Sequence, residues 1–220
     1  MQTGTHLSVS IPVDHGTMAL DGDLDIPDKP TGLVILAHDI NGSRTSRRSR
    51  YVAERLSMDG FATLLFHLLT DKEKLHKFNI LDIDMQAARI RSALIWRALQ
   101  PRIRDLPCGL FASGMGGAAA LMAAARHPGL VRAVVSCGGR VDLAKPALPL
   151  VAAPTLLIVA ERDRMVTILN RHAATSMSGD TVLEVVPGAT HHFGEPGTLD
   201  QVARLAGEWF TRHLPPDRQA

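Results

Sequence analysis

Four groups of residues have the types and spacing for acyl chemistry, and one of them lacks the group that would attack. The run Gly109-Leu110-Phe111-Ala112-Ser113-Gly114-Met115-Gly116-Gly117-Ala118 reads as a strand, a tight small-residue turn and an alanine-rich helix. That is the form of a nucleophile elbow, small-x-Ser/Cys-x-Gly. Ala112 and Gly116 take the two small positions, and the centre falls on Gly114. Glycine adopts a strained turn freely but has no side chain to attack with. Activity that is lost or altered is expected, whether the glycine is natural or introduced. Downstream, Glu161-Arg162-Asp163 and Gly188-Ala189-Thr190-His191-His192-Phe193 offer an acid and a base. A histidine works as general base when a carboxylate fixes its tautomer and stabilises the imidazolium, a role open to Asp163 for His191. The backbone N–H of Met115 would supply one oxyanion donor, and the turn at Asp39 and Ile40 a second.

Those residues need elements to hold them at one edge of a sheet. Leu7 to Val13 and Met18 to Ile26 read as an opening antiparallel pair around Asp14-His15-Gly16. Leu33 to Ala37 is a short continuous apolar run, as in a strand buried on both faces. Phe61 to Phe66, Gly109 to Ala112, Val131 to Ser136, Thr155 to Val159 and Val182 to Val186 read as further strands. Helical spacing marks Ser46 to Met58, Ile83 to Leu99, Met115 to Arg126, Val166 to Met177 and Thr198 to His213. Strands alternating with helices of this length imply an eight-stranded, mostly parallel sheet with helices on both faces. Ligands of such sheets bind outside the carboxyl ends of the strands. His38-Asp39-Ile40-Asn41-Gly42, Gly114, Asp163 and His191 each follow a strand there. The order elbow, acid, histidine is that of the triad partners in α/β-hydrolases.

Bulk properties narrow the class. With 220 residues, 45% hydrophobic, the chain suits one buried core, a single α/β-hydrolase domain over residues 1–220. Its 24 Lys and Arg against 22 Asp and Glu, with 4% aromatics, argue against a nucleic-acid platform. The first residues lack the basic and apolar regions of a secretory signal, and no run approaches the ~18 apolar residues that span a bilayer. Cys108 and Cys137 fall at opposite ends of neighbouring strands, too far apart for a disulfide. Two unpaired thiols suit a reducing compartment, so a cytoplasmic protein without membrane partner, monomeric or homodimeric, is expected.

From about residue 5 to 214 the chain resembles the dienelactone hydrolase family. Ala37-His38-Asp39-Ile40-Asn41-Gly42 is similar to that family's H/Q-E-I-F-G turn. Ser113-Gly114-Met115-Gly116-Gly117 resembles its x-C-x-G-G elbow, Gly188-Ala189-Thr190-His191 its histidine motif, and Asp163 its acid. The resemblance implies hydrolysis of small lactones or esters, often anionic, without metal or organic cofactor. Gly114 in place of Cys or Ser, and Asp39 in place of Glu, depart from the pattern.

Other readings stand beside this one. Ser113 or Cys137 could be a displaced nucleophile, although a shift of one residue at a tight turn swings a side chain away, and buried cysteine usually behaves as a small hydrophobe. His192 is read as pointing away, and the adjacent pair His191–His192 lacks metal-ligand spacing. His38 structures its turn, while His67 either faces the cleft or is structural. Asp39 either caps its turn or joins His191 in activating water. Arg44, Arg47, Arg48 and Arg50 read as a solvated face that could favour an anionic ligand. The charged stretch Thr70 to Lys77 reads as a solvated loop, with a cap over the site as the other possibility. Two functions follow: an ester or lactone hydrolase working without a covalent intermediate, or a pseudoenzyme that binds a small carbonyl or carboxylate ligand.

Overall fold

The computed structural model describes residues 4–38 and 46–215. Eight strands form one sheet in the order β1-β2-β4-β3-β5-β6-β7-β8. They are β1 (Thr5–Val13), β2 (Met18–Ile26), β3 (Gly32–His38), β4 (Phe61–His67), β5 (Cys108–Ser113), β6 (Ala133–Cys137), β7 (Thr155–Ala160) and β8 (Thr181–Val186). β1 and β2 pair antiparallel, β2 joins β4 antiparallel, and β4, β3, β5, β6, β7 and β8 run parallel. The apolar runs of β3 to β7 are buried because helices cover both faces of the sheet.

Those helices are α1 (Arg47–Met58), α2 (Lys77–Leu81), α3 (Ile83–Ala98), α4 (Met115–Arg126), α5 (Arg164–Ala174) and α6 (Thr198–His213). Two cores result. One holds Ile35, Leu64 and Leu110 of the sheet with Ile90 and Leu94 of α3 and Leu121 of α4. The other holds Val34, Leu36 and Phe111 with Val52 and Leu56 of α1 and Trp209 and Phe210 of α6. Helix α4 is buried from Gly116 to Ala124, Leu121 and Met122 included. A Cβ on Gly117 would lie 2.6 Å from Ser136 Oγ and 3.0 Å from Gly139 Cα, so only glycine lets α4 approach the loop after β6.

One expectation needs correcting. The stretch from Thr70 is not a plain solvated loop. It carries a 3-10 turn at Glu73–Leu75 and then α2, and Glu73 is bound bidentately by the buried Arg89 of α3. Arg89 also donates to Leu68 O at 2.7 Å and to Asp14 Oδ2 at 3.3 Å, tying the β1–β2 turn to this segment. The stretch 138–153 is largely loop, with short 3-10 turns at Val141–Ala144 and Leu148–Leu150.

Candidate functional site

The parallel registers bring the strand ends together. Ala37 pairs with Ala112, Ser113 with Cys137, and Ala160 with Val186. The carboxyl ends of β3, β5, β6, β7 and β8 therefore lie at one edge of the sheet, where an α/β fold binds its ligands.

Gly114 links β5 directly to α4 with φ 55° and ψ −131°. That conformation is costly for a residue with a Cβ and free for glycine. Its carbonyl accepts N–H groups from Gly117 at 3.2 Å and Arg140 at 2.9 Å, which pin the turn from inside the helix and from the loop after β6. Met115 is the first residue of α4.

Asp163 follows β7 and caps α5, its Oδ1 accepting the Val166 N–H at 3.2 Å. Its other oxygen, Oδ2, lies 2.6 Å from His191 Nδ1. One carboxylate thus anchors a helix and holds the imidazole, so the ring is aimed by a rigid element. The histidine loop is itself fixed by acids: Gly188 N–H donates to Glu161 Oε2 at 2.7 Å, and Thr190 N–H to Glu195 Oε2 at 3.1 Å. Phe193 closes the loop at φ 50°, a strained value for a non-glycine residue, with its ring buried. With Nδ1 committed to Asp163, Nε2 is the atom left to exchange a proton.

A cavity of about 90 Å³ lies between these groups. Ser113, Gly114, Cys137, Gly138, His191 and His192 line its polar end. Val52, Phe111, Phe193, Leu199 and Val202 line its apolar walls. A Cβ built on Gly138 would meet Phe193 Cε2 at 3.5 Å and His191 Cε1 at 3.9 Å, ordinary contacts, so it is the positive φ of 57° rather than space that favours glycine there.

Several expectations change on contact with this geometry. His192 does not point away: it lines the cavity, and its ring stands edge-on to His191 with centroids 5.0 Å apart. Arg48 is not simply part of a solvated face. It lines the cavity and donates Nη1–H to His192 O at 2.8 Å, bracing the histidine loop from α1. Arg47 and Arg50 are exposed, as read. Tyr51 adds a second link from α1, its hydroxyl donating to Asp200 of α6. His67 and the segment carrying α2 are not among the residues lining the cavity. Asp39, Ile40 and Arg44 lie outside the described residues, as does the side chain of His38. Among the described residues, no group of three or more His, Cys, Asp or Glu side chains is placed to hold a metal ion.

Ser113 and Cys137 both reach the cavity. Burial pushes the Cys137 thiol up to about 12, against a smaller lowering by the nearby Arg48. Cys108, at the far end of β5, is pushed up to about 12 by burial as well. A thiol, not a thiolate, is a poor nucleophile. Iodoacetamide at about pH 7 should therefore leave both cysteines unlabelled in the folded protein and label them once it is unfolded. Fast labelling of Cys137 in the native state would mark it as a reactive group after all.

Comparison with known proteins agrees with this architecture. The dienelactone hydrolase family matches residues 20–208. A crystal structure of a dienelactone hydrolase from Anabaena variabilis superposes with a TM-score of 0.91 at 45% identity, covering 96% of this chain and 99% of that one. The esterase Est1E from Butyrivibrio proteoclasticus superposes with a TM-score of 0.79 over 94% and 98% of the two chains. At 15% identity, that likeness concerns the fold alone. Two strains of Mycobacterium tuberculosis carry a protein provisionally named a phosphoribosyl transferase that is 50% identical over 204 residues. The match covers 93% of this chain and 46% of that protein, so this chain spans about half its length.

Proposed function

The chain belongs to the dienelactone hydrolase family and has the α/β-hydrolase fold, and from that premise we propose that it hydrolyses small esters or lactones without a covalent intermediate. Gly114 stands where the family's elbow carries its nucleophile, and His191, held by Asp163, activates water in its stead. The observation that carries this reading is the 2.6 Å contact between His191 Nδ1 and Asp163 Oδ2 beside the cavity that Gly114 lines. Met115 N–H and the turn at Asp39 and Ile40 would stabilise the oxyanion. No metal or organic cofactor enters the scheme. The buried free thiols suit a reducing, cytoplasmic setting, and no helix among the described residues is long and apolar enough to cross a membrane. The phosphoribosyl transferase name belongs to proteins about twice as long, and the residues assembled here suit acyl chemistry.

A general base typically contributes about 10²–10⁴-fold. His191→Ala should lower turnover of p-nitrophenyl acetate or a simple lactone by about that factor, without an acyl adduct appearing on the wild-type protein by intact mass. A second reading, a binding protein, draws on Gly114 itself. Turnover indifferent to His191→Ala would favour binding over hydrolysis.

A further inference from the structure

In an enzyme that attacks with its own serine or cysteine, the nucleophile is fixed by the fold. At a site whose elbow residue has no side chain, the nucleophile is a second bound molecule, and whatever occupies the space beside His191 Nε2 competes for the role. Three features of the cavity bear on what that molecule can be. Its volume of about 90 Å³ exceeds what a single water needs. Beside the polar Ser46, Arg48 and Ser49, the side chains of Val52, Phe111, Phe193, Leu199 and Val202 offer apolar contact to a carbon-bearing molecule that water does not use. A neutral imidazole with Nδ1 committed to Asp163 has one acceptor, Nε2, so the molecule must give up an O–H or N–H proton. Ser113 and Cys137 compete weakly, since the first sits one residue off the turn and the second is a buried thiol.

We propose that the site transfers acyl groups directly to small alcohols and primary amines. This rests on the non-covalent, His191-dependent reading above. The nucleophile's oxygen or nitrogen bonds to the carbonyl carbon as its proton passes to His191 Nε2. The tetrahedral species collapses, the C–O bond to the leaving group breaks, and the proton goes from Nε2 to the departing oxygen. An ester and an alcohol give a new ester and the displaced alcohol. No redox change occurs and no further reactant is needed.

The test uses the full chain with phenyl acetate well below saturation and methanol from zero to about 1 M, following phenol, acetate and methyl acetate. Direct attack places methanol in the rate law before the first irreversible step. The kcat/KM for phenol release should then rise at least about twofold and level off as the cavity fills, with methyl acetate formed and the rise absent in His191→Ala. A flat kcat/KM with methyl acetate still formed would mean an acyl-enzyme, and would overturn the proposal. Acetate alone, still dependent on His191, overturns the transfer while leaving hydrolysis standing. No turnover dependent on His191, with or without methanol, overturns the hydrolytic reading itself. Gly114→Ala gives an independent check, since its methyl group occupies part of the same space. It should lower the methyl acetate to acetate ratio about fivefold or more, at a melting temperature measured alongside because φ at 114 is positive.

Discussion

Replacing Gly114 with serine is expected to raise kcat/KM for p-nitrophenyl acetate by at least about 10²-fold and to introduce a burst of p-nitrophenol. On the proposed reading the acid and base are Asp163 and His191, whose Oδ2 and Nδ1 lie 2.6 Å apart. The cavity that a side chain at 114 would enter is shared with His191. A hydrolase stripped of its triad keeps only about 10³–10⁴-fold over water, so on the proposed reading a nucleophile at 114 has a wide range to add. The backbone is already in the shape such a residue needs, φ 55° and ψ −131°. A serine held there costs about 1–3 kcal/mol of strain. For a chain of this size that lowers the melting temperature by a few degrees, on the order of 2–4 °C per kcal/mol. The informative measurement is pre-steady-state: burst amplitude matched to enzyme concentration, with an acetyl adduct on the peptide containing residue 114. A folded Gly114→Ser protein with no burst and unchanged kcat/KM would show that residue 114 does not address His191, and the elbow assignment would fall.

The second large effect is on stability, far from the cavity. Arg89 is 1% exposed and holds Glu73 with both guanidinium nitrogens, Leu68 O at 2.7 Å and Asp14 Oδ2 at 3.3 Å. The guanidinium beside it, with help from the Thr70 N–H and hydroxyl, holds the Glu73 carboxyl down at about 2 despite partial burial. Arg89→Met would leave that carboxylate without its partner and free two loops from α3. Removing one partner of a buried pair costs about 3–5 kcal/mol, which should appear as a lower urea midpoint at pH 7.

The pH dependence has a definite sign. Glu73 is ionised more readily folded than unfolded, so its contribution is complete above its ordinary value of 4.5 and fades as pH falls toward about 2. Discounted for solvent screening of a partly exposed carboxylate, the depression corresponds to about 1–2 kcal/mol of stability lost across that window. Glu73→Gln should be less stable than wild type at neutral pH and show a shallower loss below about pH 5. Parallel acid-denaturation curves for the two proteins would remove Arg89–Glu73 from the account.

Much of this molecule was legible in the sequence because short-range signals govern it. The β3 apolar run, the turn at Gly114 and the alanine-rich start of α4 depend on neighbouring residues, and their spans agree with the structure within two or so positions. Asp163 and His191 were readable because each follows a strand, and a parallel sheet places all such ends at one edge. Arg48, His192 and Arg89 were not readable in that way. Whether Arg48 faces solvent or the cavity depends on the azimuth of α1. That is set by packing Val52 and Leu56 onto the sheet, not by any pattern in the four arginines. Arg89 looks like one more charge on a mixed helix, and its partners lie 16 and 75 residues away. Sequence thus determined which chemical groups stand at the strand ends, through local propensity and strand order. Only the tertiary structure decided which other side chains those groups meet, because burial and distance between remote segments exist only once helices pack on the sheet.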